Sequence, residues 1–188
     1  MPIEIERKFL VDLEPAAWPV ELLAASAADI LQGYVTAPDG ETEIRLRRIC
    51  EVPAPGGVED AELPLAPPVY KLAVKYDLPG SSWSGERQEL EGRMTGEDFE
   101  KSWPLTAGSS LEKRRVSYGF WLPNDKMLAV AVDTFGGRLS GLQMIEVEFE
   151  TRKEAEAFEH PYFFGREVTD DRRYRNRNLA SADRLPSD

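Results

Sequence analysis

Hydrophobic and polar residues alternate along much of this chain with a period of two. In Glu4-Ile5-Glu6-Arg7-Lys8-Phe9, one strand face carries Glu4, Glu6 and Lys8 and the other Ile5, Arg7 and Phe9. The same rhythm predicts strands near 3–11, 30–37, 42–50, 69–77, 85–92, 111–121, 127–134 and 143–151. Eight runs with turn-rich breaks predict an antiparallel meander with enough strands to close a barrel. Helical patterns are few. An alanine-rich stretch at 16–28 predicts one helix, residues 96–103 after the N-cap Thr95 a second, and residues 152–160 a third. Thr151 with Glu154 forms a capping box for the third, and a last helical turn falls within 171–181. Residues 51–68 hold five prolines and two glycines and predict a loop between strands. The segment 1–180 therefore predicts a single domain with that loop as an insertion, followed by a frayed tail at 181–188.

The alternation also sorts charge by strand. Arg45 and Arg47 share a face against Ile44 and Leu46, and Lys71 and Lys75 share one against Leu72 and Val74. Arg87, Glu89 and Glu91 lie together, as do Lys113 and Arg115, and Glu146, Glu148 and Glu150 oppose Val147 and Phe149. Asp133 ends the apolar run from Leu128 to Val132. A half-exposed sheet laced with surface ion pairs would mix Lys, Glu, Thr, Ser and Gln. Here the faces are nearly pure charge, acidic on the first, fifth and eighth strands and basic on the third, fourth and sixth. Such faces suit a closed barrel with its charges inward, where they need water, partners or a charged ligand.

Residue type then selects the ligand. Guanidinium and ammonium groups bind phosphate oxygens. Carboxylates repel phosphate but hold Mg²⁺ or Mn²⁺, which bridges to it. A basic wall facing an acidic wall therefore points to a polyphosphate carried with a divalent metal.

Composition removes other classes. The chain has 188 residues with 41% hydrophobic content, enough for a real core. A net charge of −11 argues against a duplex nucleic-acid binder. Cys50 is the one cysteine and His160 the one histidine, so an intrachain disulfide, a zinc finger and a histidine-rich zinc site are excluded. No Gly-x-Ser-x-Gly elbow accompanies His160, which reads as a helix C-terminal residue, and Cys50 reads as a strand end rather than a nucleophile. There is no apolar leader and no membrane-length run, so the cytoplasm is the expected compartment and no membrane partner is expected. The oligomeric state is not legible, although an acidic exterior favours a discrete soluble species.

The ordered series of motifs resembles the CYTH domains, the triphosphate tunnel metalloenzymes. Glu4-x-Glu6-x-Lys8 looks like the family signature, and Gln32-Gly33-Tyr34, Arg45 with Arg47, Lys75, Glu89 with Glu91, and Lys113 with Arg115 follow in family order. Asp133-Thr-Phe-Gly, Gly141-Leu142, Glu146-Val-Glu148-Phe, Glu167-Val168-Thr169, Tyr174 and Asn176 resemble the remainder, over roughly residues 3–180. The resemblance implies an eight-stranded antiparallel barrel forming a tunnel, and Mg²⁺- or Mn²⁺-dependent chemistry on a small-molecule triphosphate. Arg45, Arg47, Lys75, Lys113 and Arg115 would cradle phosphates with help from Arg87. Glu4, Glu6, Glu146 and Glu148 would hold metal, with Asp133 and Glu89 as further candidates, and Lys8 would meet the terminal phosphoryl or leaving oxygen. Catalysis would thus rest on Lys8, Glu4 and Glu6. Lys71 and Glu91 read either as site residues or as tunnel-wall ion-pair residues only, Tyr34 as packing, and Trp18, Trp83, Trp103 and Trp121 as core or helix contacts. The expected activity is hydrolysis of an inorganic or small organic triphosphate, tripolyphosphate foremost. A nucleotide cyclase and a non-catalytic polyphosphate-binding module are the alternatives.

Overall fold

A computed structural model describes residues 3–12, 18, 24–36, 42–55, 66–78, 80, 83, 85–121 and 127–186. Nine strands form one antiparallel sheet: β1 Ile3–Val11, β2 Ala24–Thr36, β3 Glu43–Val52, β4 Val69–Asp77, β5 Glu86–Arg93, β6 Ser110–Trp121, β7 Met127–Phe135, β8 Gln143–Glu148 and β9 Phe164–Glu167. Their order is β5-β4-β3-β2-β6-β7-β8-β1-β9, and a further β1–β5 pairing closes strands one to eight into a barrel. The closing seam sets Glu4 opposite Arg87 and Ile5 opposite Glu86. From Glu6 onward β1 leaves β5 and pairs with β8 instead, with Lys8 opposite Glu146. Closure removes the free edges an open sheet of this size would expose.

The predicted strands are all present, with changes at their ends. Strand β2 begins at Ala24, so the expected helix at 16–28 is replaced by strand over 24–28; the rest of that helix, Trp18 apart, lies outside the described residues. Alanine favours helix intrinsically, but here Ala27 and Ala28 pair with both β3 and β6, and tertiary pairing overrides propensity. Strand β3 runs through Glu51 and Val52, and the centre of the expected 51–68 loop, residues 56–65, lies outside the described residues. Strand β9 is too short to give a periodic signal; it adds to β1 beyond β8, with Phe9 opposite Glu167.

Three short helices pack around the sheet: α1 Gly96–Ser102, α2 Arg152–Ala157 and α3 Asn176–Ser181. Both expected caps form. The Thr95 hydroxyl accepts from the Asp98 N–H at 3.1 Å and that of Thr151 from the Glu154 N–H at 3.2 Å. The third predicted helix stops at Ala157, so His160 lies beyond it, stacked on Phe164 and tilted against Phe9. The connection after β7 turns through a 3-10 segment in which Gly137 and Gly141 have φ of +58° and +95°, a region that favours glycine.

Two apolar cores hold the barrel. On the outside of β1, β6, β7 and β8, Ile5, Phe9, Val130, Val132, Ile145 and Val147 meet Ala155, Phe158, Phe163 and Phe164. Inside, Tyr34, Leu111, Phe135 and Met144 meet Val168, Tyr174, Leu179 and Ala180, so the C-terminal segment packs into one end of the barrel. Trp18 joins the first core, but Trp121 is 64% exposed at the outer end of β6, against the expectation that it packs. Phe9 is fully buried and touches three rings. Phe9→Ala is expected to lower the unfolding free energy by about 3–5 kcal/mol, read by urea denaturation.

Candidate active site

The charges sorted by strand in the sequence are sorted by wall in the barrel. Closure through β1–β5 makes β8, β1 and β5 neighbours, and these are the acidic strands. The basic strands β4 and β3 stand on the other side, and β2 separates them from β6. Between the walls is a cavity of about 310 Å³. It is lined by Glu4, Glu6, Lys8, Arg45, Arg47, Lys75, Arg87, Glu89, Arg115, Glu146 and Glu148, all expected site residues. Lys71, Glu91, Glu43, Tyr34, Gly85, Thr169, Arg175 and Asn176 complete the described lining. Lys113 and Asp133 do not border the cavity; they sit behind Arg115, with side chains fully excluded from solvent.

The basic residues fall into linked groups. Arg45 Nη2 donates to Glu89 at 2.9 Å and to Glu91 at 2.8 Å. Lys75 reaches Glu4 at 2.5 Å and Glu89 at 3.3 Å. Arg87, on the acidic strand β5, crosses to Glu43 and Asp77, each at 3.0 Å. Lys71 and Glu91, read as ion-pair residues of the wall, pair with each other at 2.5 Å. Arg115 grips Asp133 with two hydrogen bonds of 2.7 Å and also donates to Glu146, while Lys113 donates to Asp133. Burial works against ionised Asp133, but Arg115 and Lys113 outweigh it and hold the carboxyl below its usual range. Burial draws Lys113 down to about 8 despite Asp133.

Lys8 sits between Glu6 at 2.9 Å and Glu146 at 3.3 Å. Burial disfavours its charge, yet Glu146 and Glu6 more than compensate and raise it above the ordinary lysine value. Glu146 accepts from Lys8, Arg115 and Asn176 and is held well below the usual carboxylate range, against the cost of burial.

Two residues do not fit this pattern of compensation. Arg47 has no carboxylate partner among the described residues; its Nε donates to Gln32 Oε1 at 2.9 Å. Burial, with the neighbouring guanidiniums of Arg45 and Arg115, draws it down to about 10, so it remains a cation at neutral pH. Glu148 has no cationic partner among the described residues, and burial together with Glu4, Glu6 and Glu146 pushes its carboxyl up. One wall thus holds an uncompensated cation and the other an uncompensated anion. Among the described residues, no three acidic, histidine or cysteine side chains are already drawn together as a metal cage.

Besides Gly85, which has no side chain, four lining residues carried no role in the sequence reading: Glu43, Thr169, Arg175 and Asn176. Glu43 could have been found from strand parity, since it shares the inward face of β3 with Arg45 and Arg47. The other three come from the non-periodic C-terminal segment. Tyr34, expected only to pack, does both: it belongs to the inner core and its hydroxyl accepts from Gln32 at 2.5 Å at the cavity wall.

Asp133→Ala would leave Lys113 and Arg115 without their shared buried carboxylate. It is expected to cost about 3–5 kcal/mol in denaturant unfolding. Glu148→Gln should act in the opposite direction. A carboxyl raised in the folded state is penalised when ionised, at pH above its folded value, and the penalty disappears as pH falls below the unfolded value. The variant should therefore melt higher than wild type at pH 8, and the difference should vanish on acidification through the carboxylate range.

Known proteins are similar to this chain in sequence and in fold. The chain is 38% identical to an inorganic triphosphatase of Nitrosomonas europaea over 177 residues, 94% of this chain and 96% of that protein. A crystal structure of an inorganic triphosphatase superposes with a TM-score of 0.58 at 35% identity, covering 100% of this chain and 99% of the other. A protein from Pyrococcus horikoshii, 17% identical with a TM-score of 0.55 over 81% of this chain and 82% of its own, shares the fold. No protein-family model matches the chain. Among the described residues, no helix is long and apolar enough to cross a membrane. Identity of this extent, over a barrel with opposed acidic and basic inner walls, makes the chain a member of the inorganic triphosphatase family and of the CYTH-type tunnel proteins to which it belongs.

Proposed function

We propose that this protein hydrolyses inorganic tripolyphosphate to pyrophosphate and orthophosphate inside the barrel. The observation that carries the reading is the unfilled donor capacity of the basic wall. Arg47 lacks a carboxylate, and Arg45 Nε is buried with no hydrogen-bond partner among the described residues. Arg47 lines the cavity, and a guanidinium there without an anionic partner is one that a phosphate oxygen can pair. Tyr34 is the one ring in the described lining, so the described residues offer no pair of rings to hold a base or thiazole between them. That favours a bare phosphate chain over a nucleotide or an organic triphosphate. The Nitrosomonas relative is named for inorganic triphosphate.

In this reading Arg45, Arg47, Lys75 and Arg115 bind the phosphate chain, with Arg87 at its edge. The charge they supply stabilises charge that develops on the equatorial and leaving oxygens as the bridging P–O bond breaks. Lys8 is fixed between Glu6 and Glu146 so that its ammonium meets the terminal phosphoryl group. The residues present fit a divalent cation, because Glu4, Glu6 and Glu148 line one wall of the cavity, and burial together with these like charges pushes the Glu148 carboxyl up, a cost that a cation would relieve. Glu4, Glu6 and Glu148 would hold Mg²⁺ or Mn²⁺; Glu89, paired to Arg45 and Lys75, and Glu146 and Asp133, saturated by Lys8, Arg115, Lys113 and Asn176, would instead fix the cations that grip substrate. When bound, the metal would neutralise phosphate oxygens and acidify a coordinated water. Such chemistry suits a protein free in the cytoplasm acting on a small molecule.

The test incubates the protein with tripolyphosphate, ATP and thiamine triphosphate, each with Mg²⁺, with Mn²⁺ and with chelator. Orthophosphate should appear from tripolyphosphate fastest, and chelator should stop it. Cyclic AMP from ATP would establish a cyclase instead, and tight binding without turnover a binding module. Glu4→Gln and Glu6→Gln should each lower kcat by about a hundredfold or more, as expected when charge-stabilising groups are lost.

A further inference from the structure

Strand register pairs cations of the cavity with carboxylates. Lys8 stands directly opposite Glu146, Lys75 opposite Glu89, Arg87 opposite Asp77 and Arg115 opposite Asp133, and each of these pairs is a salt bridge. Arg47 departs from this. Its direct neighbours across the ladders are Gln32 on β2 and Lys71 on β4. Lys71 and Arg45 both draw on Glu91, and Arg45 also on Glu89, so those carboxylates serve other cations. An amide thus occupies the place in register that a carboxylate holds beside the other four.

Gln32 is fully buried, and its amide has one orientation. Arg47 Nε can only donate, and it donates to Gln32 Oε1 at 2.9 Å. Gln32 Nε2 then faces the Tyr34 hydroxyl, to which it donates at 2.5 Å. A flipped amide would set two donors against each other at Arg47. Tyr34 is packed in the inner core, so the amide is anchored on its far side as well. The contact takes up only the Nε edge of the guanidinium. Nη1 and Nη2 of Arg47 have no hydrogen-bond partner among the described residues, and neither is sealed from solvent. Arg47 is partly accessible and lines the cavity, so this free end is what a ligand there can reach.

We infer that Gln32 is a positioning residue for the triphosphate: its neutral amide fixes the Arg47 side chain through Nε and leaves the guanidinium charge unneutralised for a phosphate oxygen. The assignment rests on the reading of the basic wall given above. A carboxylate at the same place would hold Nε as firmly. It would also cancel much of the charge and set a further anion near the phosphate chain. An apolar side chain would leave the charge but let the guanidinium swing, and the cost of ordering it would then oppose binding. Gln32 supplies the hold without the cancellation. Being wholly enclosed, it reaches substrate only through Arg47.

The experiment measures binding of non-hydrolysable imidotriphosphate by calorimetry, with Mg²⁺ present. The proteins are wild type, Gln32→Met, Gln32→Glu, Arg47→Met, and the double variant of Gln32→Met with Arg47→Met. Arg47→Met should lower affinity by about a hundredfold, the scale of losing one partner of a charge pair. Gln32→Met should lower it by about tenfold, and Gln32→Glu, which keeps an acceptor for Nε, by about tenfold or more. The double variant should bind within about threefold of Arg47→Met, because Gln32 then has nothing left to position. Losses that multiply in the double variant would overturn the assignment, since Gln32 would be acting independently of Arg47. Wild-type affinity in Gln32→Met, Gln32→Glu or Arg47→Met would overturn it as well. If Gln32→Met does not fold, Gln32→Leu replaces it in the cycle. Wild-type protein that neither binds imidotriphosphate nor releases orthophosphate from tripolyphosphate overturns the triphosphate reading and this assignment together; wild type that binds, with independent losses, overturns the assignment alone.

Discussion

Charge compensation inside a closed barrel is the constraint on which the rest of this structure depends. An inward-facing ammonium or carboxylate on a barrel strand loses much of its hydration and must find an opposite charge, a dipole or a ligand. The chain meets this by placing partners on different strands. Lys75 on β4 meets Glu4 on β1 across the closing β1–β5 seam, and Arg87 on β5 reaches past β4 to Glu43 on β3. The first of these contacts reinforces closure as well as neutralising charge. Breaking one partner would strand the other, which explains why the wall behaves as a network rather than as separate pairs.

The same constraint explains why the site is poised. Compensation is nearly complete, and the exceptions are complementary. Arg47 has an amide where a carboxylate would be expected, and Glu148 has three like charges around it. A ligand carrying both a polyanion and a cation would satisfy both walls at once. The paired carboxylates keep the cationic side chains extended and oriented before substrate arrives, which limits the reorganisation binding requires. Asp133 does this from behind the wall, holding Arg115 and Lys113 without touching the cavity.

The C-terminal segment is the part of the design that strand periodicity does not disclose. Leu179 and Ala180 pack into one end of the barrel with Tyr34, Leu111 and Met144, and this seats Thr169, Arg175 and Asn176 on the cavity. Burying a short helix there supplies apolar contact for inward strand positions that carry no charge. It also brings the Asn176 amide to Glu146, to which its Nδ2 donates.

What the sequence determined by itself was the period of two and the assignment of charge to it. Alternation is a local property of extended backbone, so Glu4, Glu6 and Lys8 share a face whatever the tertiary fold. The capping residues Thr95 and Thr151 were legible for the same reason, since a cap acts within four residues. The alanine-rich start of β2 was not, because pairing with β3 and β6 outweighs a weak helical preference. Nor was the division into acidic and basic walls, for strand order around the barrel follows from β1 pairing with β5 and β8 at once. Parity could place Lys113 and Asp133 inside, but only the packed interior shows them enclosed behind Arg115 rather than facing the cavity. Asn176 lies in a segment with no period, and its place beside Glu146 was decided by the burial of Leu179 and Ala180.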